Sequence, residues 1–256
     1  MFRKIRILLL LLVLATVALG AWRANSRLTA WEHSIHVGLY PIAADNSPAT
    51  ARYLAQLDAD SVSEISRWVE EESRRYGKSV LQPVVLRVAL PRTVQPPLPP
   101  ERPGPFEAIL WSLQLRWWAS RNDDIDGPRP HVRLFVLYHD PERNPALPHS
   151  TGLSKGQLGL IHAFASRQQH RQNAVIIAHE LLHVFGASDK YDPLTTQPLH
   201  PQGYAEPGRS PLLPQEMAEI MGGRIPLTAS QSEIPDSLAA TVIGVETARE
   251  IGLLGR

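Results

Sequence analysis

The chain has 256 residues, enough for one large domain or two small ones with a sizeable core. Its 26 Lys and Arg against 25 Asp and Glu leave a formal net charge of +1, which excludes the basic footprint of a nucleic-acid binder. A content of 43% hydrophobic and 20% charged residues excludes a disordered chain, and the absence of Cys removes disulfides, thiolate metal sites and cysteine nucleophiles.

In chain order, Arg3, Lys4 and Arg6 precede an uncharged, Leu-dominated stretch at residues 7–22, which Arg23 closes. This is the pattern of an export signal whose positive end stays in the cytoplasm. Ala18-Leu19-Gly20 offers a cleavage site, whereas Trp22 and Arg23 suit an interfacial anchor, and the flank chemistry favours the uncleaved form. The expectation is a signal anchor at residues 1–23, touching the membrane through residues 7–22. Residues 24–256 would then form a domain on the extracytoplasmic (periplasmic) side, secreted if the signal is cleaved.

Residues 35–43 (IHVGLYPIA) read as a strand, and Pro48 with the small residues after it as a loop. Ser61 and Glu64 have capping-box spacing, and Val62, Ile65, Trp68, Val69 and Tyr76 share one helical face that stops at Gly77. Residues 80–90 read as a second strand, and residues 91–105, with seven prolines, as an extended insert. Residues 106–120 carry Trp111, Trp117 and Trp118 and read as a helix that is apolar on most sides, with a core role favoured over a lid or a surface resting on lipid. Strands follow at residues 131–138 and 159–165, a helix at 173–185, an irregular Pro-rich stretch at 193–214, and a last helix within 245–254.

Several polar groups invite a function and fail a simple test. Asn122 to Gly127 opens like a calcium loop, but its twelfth position is Arg133, where a bidentate Glu is required, so it reads as a turn. Glu70, Glu71 and Glu72 read as a solvated helix face, and His149 as a loop histidine.

The chemistry concentrates in His179-Glu180-Leu181-Leu182-His183. Residues four apart share a helix face, so His179 and His183 can chelate one ion, while Glu180 stands beside it as a general base. The apolar run before them predicts a buried helix, whose His and Glu side chains need partners. Gly186 lets the chain leave the helix in a left-handed turn, so that Asp189 can swing back to the same ion. Met221 follows, before Gly222 and Gly223. Glu216 and Glu219 are the other candidates for a third ligand, and the proximity of Gly186 and Asp189 favours Asp189 over them. His162 reads as a strand histidine on a cleft wall or surface before it reads as a ligand.

Together these residues resemble the metzincin metalloproteases, with their H-E-x-x-H-x-x-G-x-x-H pattern followed by a Met-containing turn. Asp189 departs from the third His but matches the small secreted bacterial proteases of the snapalysin type. The motif spans residues 179–223. The resemblance implies an α+β fold: a mixed twisted sheet packed on an active-site helix, with a small C-terminal subdomain after it. It also implies a Zn2+ ion on His179, His183 and Asp189, a Met-turn at Met221, and Tyr191 at the metal site or on the oxyanion. By the same resemblance, residues 159–165 would form the sheet edge that pairs with an extended peptide.

The expected function is a zinc-dependent endopeptidase acting on a peptide or protein, in which metal-activated water attacks a peptide carbonyl with Glu180 as base. The alternative is a non-catalytic, zinc-stabilised envelope module that binds a peptide or protein partner. The prolines gather at residues 91–105 and 193–214, which are expected to flank the cleft and shape access to it.

Overall fold

The apolar, β-branched runs of the sequence pair into a mixed five-stranded sheet in the computed structural model, which describes residues 2–100, 104–153 and 156–255. Its strands are β1 (Ile35–Ala43), β2 (Val84–Val88), β3 (Val132–His139), β4 (Thr151–Leu153) and β5 (Leu158–Phe164), in the order β2-β1-β3-β5-β4. The first three pairings are parallel, with Val37 opposite Val132 and Phe135 opposite Leu160, and β4 closes one edge antiparallel to β5. Strands β1, β3 and β5 read as almost unbroken apolar runs because both of their faces are covered.

One face carries Ile35, Val37, Leu134, Val136 and Ile161. It packs on α2 (Pro48–Leu54), α3 (Ser63–Arg75) and α5 (His170–Phe185). The other face, with Tyr40, Ile42, Phe135 and Leu160, packs on α4 (Pro105–Arg121). After α5 the chain runs through β6 (Ala218–Glu219), β7 (Ile225–Pro226), β8 (Ser232–Glu233) and β9 (Thr241–Val242) into α6 (Val245–Glu250). In this region β6 pairs with β9 and β7 with β8. The coarse class is therefore α+β, with a mixed sheet.

The N-terminal expectation is corrected. Residues Phe2–Ala30 form one helix, α1, but no helix among the described residues is long and apolar enough to cross a membrane. Cations on either side confine the uncharged stretch of α1 to residues 7–22, about 24 Å at 1.5 Å per residue against a hydrocarbon core of about 30 Å. The single-pass anchor, and the extracytoplasmic placement that rests on it, fall with this finding. The far end of the helix belongs to the core. Leu28 is buried there, and just beyond the helix so is Trp31, whose indole N–H donates to the Ile251 carbonyl at 2.7 Å while its ring meets Phe185 edge-on.

Other differences are local. The residues after Pro48 form α2, because Ser47 caps it by accepting the Ala49 N–H and Pro48 sits at its first position. The capping box at Ser61 does not form: a short 3-10 turn at Asp60–Val62 precedes α3, and the Ser61 hydroxyl donates to Asp58 instead. The second strand shrinks to β2, after Pro83. Glu72 leaves the solvated face, buried where it accepts the Ile243 N–H at 2.6 Å and pairs with Arg75.

Helix α4 is a core element on one side only. Leu115 and Ala119 are buried, whereas Phe106, Ile109, Leu113 and Trp117 are exposed. The Pro-rich insert goes with it, since Arg92 bonds to the β1 backbone and Trp111 donates to the Pro97 carbonyl at 2.9 Å. Its residues 101–103 lie outside the described ones. The insert thus leads to the sheet face opposite α5 and does not flank the cleft there.

Candidate metal centre

Helix α5 is held to the sheet at its start by an amide that grips both backbone groups of Phe164. The Asn173 side chain accepts the Phe164 N–H at 3.0 Å and donates to its carbonyl at 2.8 Å. Ala174, Ile177, Ala178 and Leu181 then bury themselves under the sheet, which turns His179 and His183 toward the other side of the helix. The helix ends at Gly186, whose φ of +111° is a left-handed conformation that suits glycine. The Ala187 N–H returns to the Leu182 carbonyl at 2.9 Å, and the chain reverses toward the two imidazoles.

This reversal sets Asp189 Oδ1 at 3.2 Å from His179 Nε2 and 3.1 Å from His183 Nε2, while the two Nε2 atoms are 3.1 Å apart. The other ring nitrogens are committed. His179 Nδ1 donates to the Ile220 carbonyl and His183 Nδ1 to the Ala187 carbonyl, each at 2.9 Å. A carbonyl can only accept, so in the neutral ring the Nε2 atom carries the lone pair. Two imidazole lone pairs and a carboxylate oxygen thus converge on one point. Such a triangle is repulsive until a cation fills it. Tetrahedral coordination with metal–nitrogen bonds of about 2.0–2.1 Å sets ligand atoms about 3.3 Å apart, close to the observed edges.

The proton equilibria carry the same sign. Burial works against a charged His183, yet hydrogen bonding to Asp189 and to the Ala187 carbonyl outweighs it and raises the imidazole above its ordinary value. Burial likewise opposes the Asp189 anion, but hydrogen bonds donated by the two imidazoles when they are protonated hold its carboxyl well below the usual range. The triangle attracts positive charge.

Glu180 lies on the same helix with a ligand-capable oxygen within 4.8 Å of both imidazoles, and the three side chains form a group that could hold a metal ion. It is 6% exposed, and its Oε2 has no hydrogen-bond partner among the described residues. Burial raises its pKa, with the charge of Asp189 adding to the effect, against lowering by the imidazoles and the Gly152 N–H. Tyr191 stands beside Asp189, and burial and that carboxylate together keep its phenol protonated to higher pH than usual.

The segment with Met221 lies under α5. Met221 is fully buried, its carbonyl accepts the Lys190 N–H at 2.8 Å, and the preceding Ile220 supplies the acceptor that orients His179. Glu219 is also buried, but faces away from the triangle: it accepts from Gly222, Gly244 and Thr247 and ties the turn to α6. Glu216 pairs with Arg209. His162 is buried rather than on a cleft wall, bonded to His139 at 2.8 Å.

Sequence reasoning missed three contributors. The sheet edge next to the site is β4 and not residues 159–165, because the latter form β5 in the interior of the sheet. Gly152 of β4 comes so close to α5 that a Cβ there would stand 2.5 Å from the His183 Cβ. Lys190 and Glu250, paired at 2.7 Å, pin the Asp189 limb to α6. A glycine within a polar loop and a C-terminal glutamate carry no local signal of these roles.

A cavity of about 690 Å³ adjoins the centre, lined by His179 and Tyr191 and by Val175, Ile176, Ile220 and Ile234. His149 and Pro193 line it as well, so the second Pro-rich stretch does border the site. No protein-family model matches the sequence, and no curated protein matches it at a significant level.

Proposed function

We propose that the protein is a zinc-dependent peptidase of metzincin-like build, with His179, His183 and Asp189 as ligands. The observation that carries this reading is the buried, unpartnered Glu180 oxygen beside the three converging lone pairs. A structural ion normally takes four protein ligands and has no use for a base, whereas three ligands and a free carboxylate fit a hydrolytic centre. Zinc is favoured over harder cations by the two imidazoles.

A bound zinc ion would supply Lewis acidity, polarising a peptide carbonyl and making water more acidic. Glu180 takes the proton from the attacking water and hands it to the leaving amine, a shuttle that its burial-raised proton affinity favours. The Tyr191 hydroxyl remains protonated and can donate to the carbonyl oxygen as negative charge develops on it. The outer edge of β4, a few ångströms from the Glu180 backbone, suits an extended peptide that adds as a further strand.

The test compares wild type with Glu180→Gln on denatured casein and on cell-wall peptides, with metal content measured in both. The expected outcome is equal zinc and a fall in kcat of about 10²- to 10⁴-fold in the variant. Zinc in both with no turnover by either would favour the non-catalytic binding module.

A further inference from the structure

The cavity beside the metal centre is apolar over most of its wall but contains one formal charge. Arg224, the residue after the glycine pair of the Met-containing turn, lines it and is half-buried. No Asp or Glu is among the residues lining the cavity, and no hydrogen-bond or ion-pair partner of the Arg224 side chain is found among the described residues. Other arginines differ. Arg209 is held by Glu206 and Glu216, and Arg171 by the Ser237 hydroxyl.

A guanidinium that no acid of the protein holds is open to a carboxylate brought by a ligand, which it meets in a charge-assisted pair. Its planar fork of N–H groups matches a carboxylate with two parallel hydrogen bonds. Around it, Val175, Ile176, Ile220 and Ile234 offer apolar surface. An occupant that satisfies both has an apolar body and a carboxylate on the same short stretch of chain.

Resting on the peptidase reading, we propose that Arg224 is a specificity residue that selects peptides whose apolar residue in the cavity is accompanied by a carboxylate. That carboxylate is either an acidic side chain or the free C-terminus. Arg224 acts on substrate binding and orientation, and takes no part in proton transfer.

The experiment uses the zinc-loaded full chain and a set of otherwise identical peptides with Leu for the cavity. One pair differs by Glu or Gln next to the Leu, the other by a free or amidated C-terminus. The expected result is a preference of about 10- to 100-fold in kcat/KM for the carboxylate member of one pair, which identifies the source. Arg224→Gln should abolish that preference while leaving cleavage of the neutral peptides within a few-fold of wild type, and Arg224→Lys should restore part of it. Thermal melting checks that both variants fold.

The same peptides titrated calorimetrically into zinc-loaded Glu180→Gln separate this proposal from the one it rests on. A carboxylate preference in binding that Arg224→Gln removes upholds the subsite even if no peptide is cleaved. Equal affinity for both members of both pairs, or a preference that survives Arg224→Gln, overturns it.

Discussion

Among the described residues two imidazole pairs meet ring nitrogen to ring nitrogen, and their surroundings differ. His179 and His183 meet through Nε2 and Nε2 at 3.1 Å, whereas His139 and His162 meet through Nε2 and Nδ1 at 2.8 Å. In the first pair both Nδ1 atoms are spent on backbone carbonyls, so two lone pairs face one another and a carboxylate oxygen joins them. Among the described residues no such third oxygen completes the second pair, where one ring can donate and the other accept, and the bond is complete without an ion. Proximity of histidines does not make a metal site. What makes one is a backbone that consumes the outer nitrogens and forces the inner lone pairs together.

The contrast breaks most sharply by mutation. His183→Ala should lower zinc affinity by about 10²- to 10³-fold, one ligand's share of a structural-site binding energy, in a competition titration against a chromogenic chelator. His139→Ala should leave that affinity within a few-fold of wild type. Equal losses from both variants would mean that the two pairs are not functionally distinct.

Acidity sharpens it next. Burial, and to a smaller degree the neighbouring His139, push the His162 imidazole down to about 4 from its ordinary 6.5. The fold therefore favours the neutral ring. Its contribution to stability is complete above pH 6.5 and is lost as the pH falls toward 4, on the order of 1–3 kcal/mol. Denaturant titrations across that window should show the slope, and His162→Asn should flatten it. His183 runs the other way: its pKa is raised, so in the metal-free protein its charged form stabilises the fold at low pH and that contribution is lost as the pH rises through the raised value. A metal ion bound at that nitrogen would have to displace that proton, so zinc affinity should fall as the pH drops through the same range, while a pH-independent affinity would contradict the triangle.

The last expected effect is steric. A Cβ at Gly152 would lie 2.5 Å from the His183 Cβ and 3.0 Å from the Glu180 carbonyl. Gly152→Ala should therefore destabilise the fold by about 1–3 kcal/mol, lowering Tm by roughly 2–10 °C, and weaken zinc binding. Gly208→Ala, in open space, is the control.

How much of this was legible in the residues depended on the range of the interaction. The strand cores at β1, β3 and β5, the helix around His179 and the left-handed exit at Gly186 are written locally, in apolar runs, i to i+4 spacing and a glycine. From these the approach of Asp189 could be anticipated. The limb that fixes Asp189 could not, because Lys190, Met221 and Glu250 meet only after the chain has folded back over sixty residues. The same holds for β4: three residues with little apolar character become the sheet edge only because β5 offers them a partner. The N-terminal stretch misled for a related reason. Its run of leucines suggests a membrane, yet the length between its charges is too short to cross one.

The most direct test of the central claim is zinc-edge X-ray absorption on the purified protein, together with its metal stoichiometry. The account predicts one zinc per chain, bound by two imidazole nitrogens and at least one carboxylate oxygen, with one imidazole lost from the spectrum in His179→Ala. Substoichiometric metal, or a zinc environment that does not change in that variant, would contradict it.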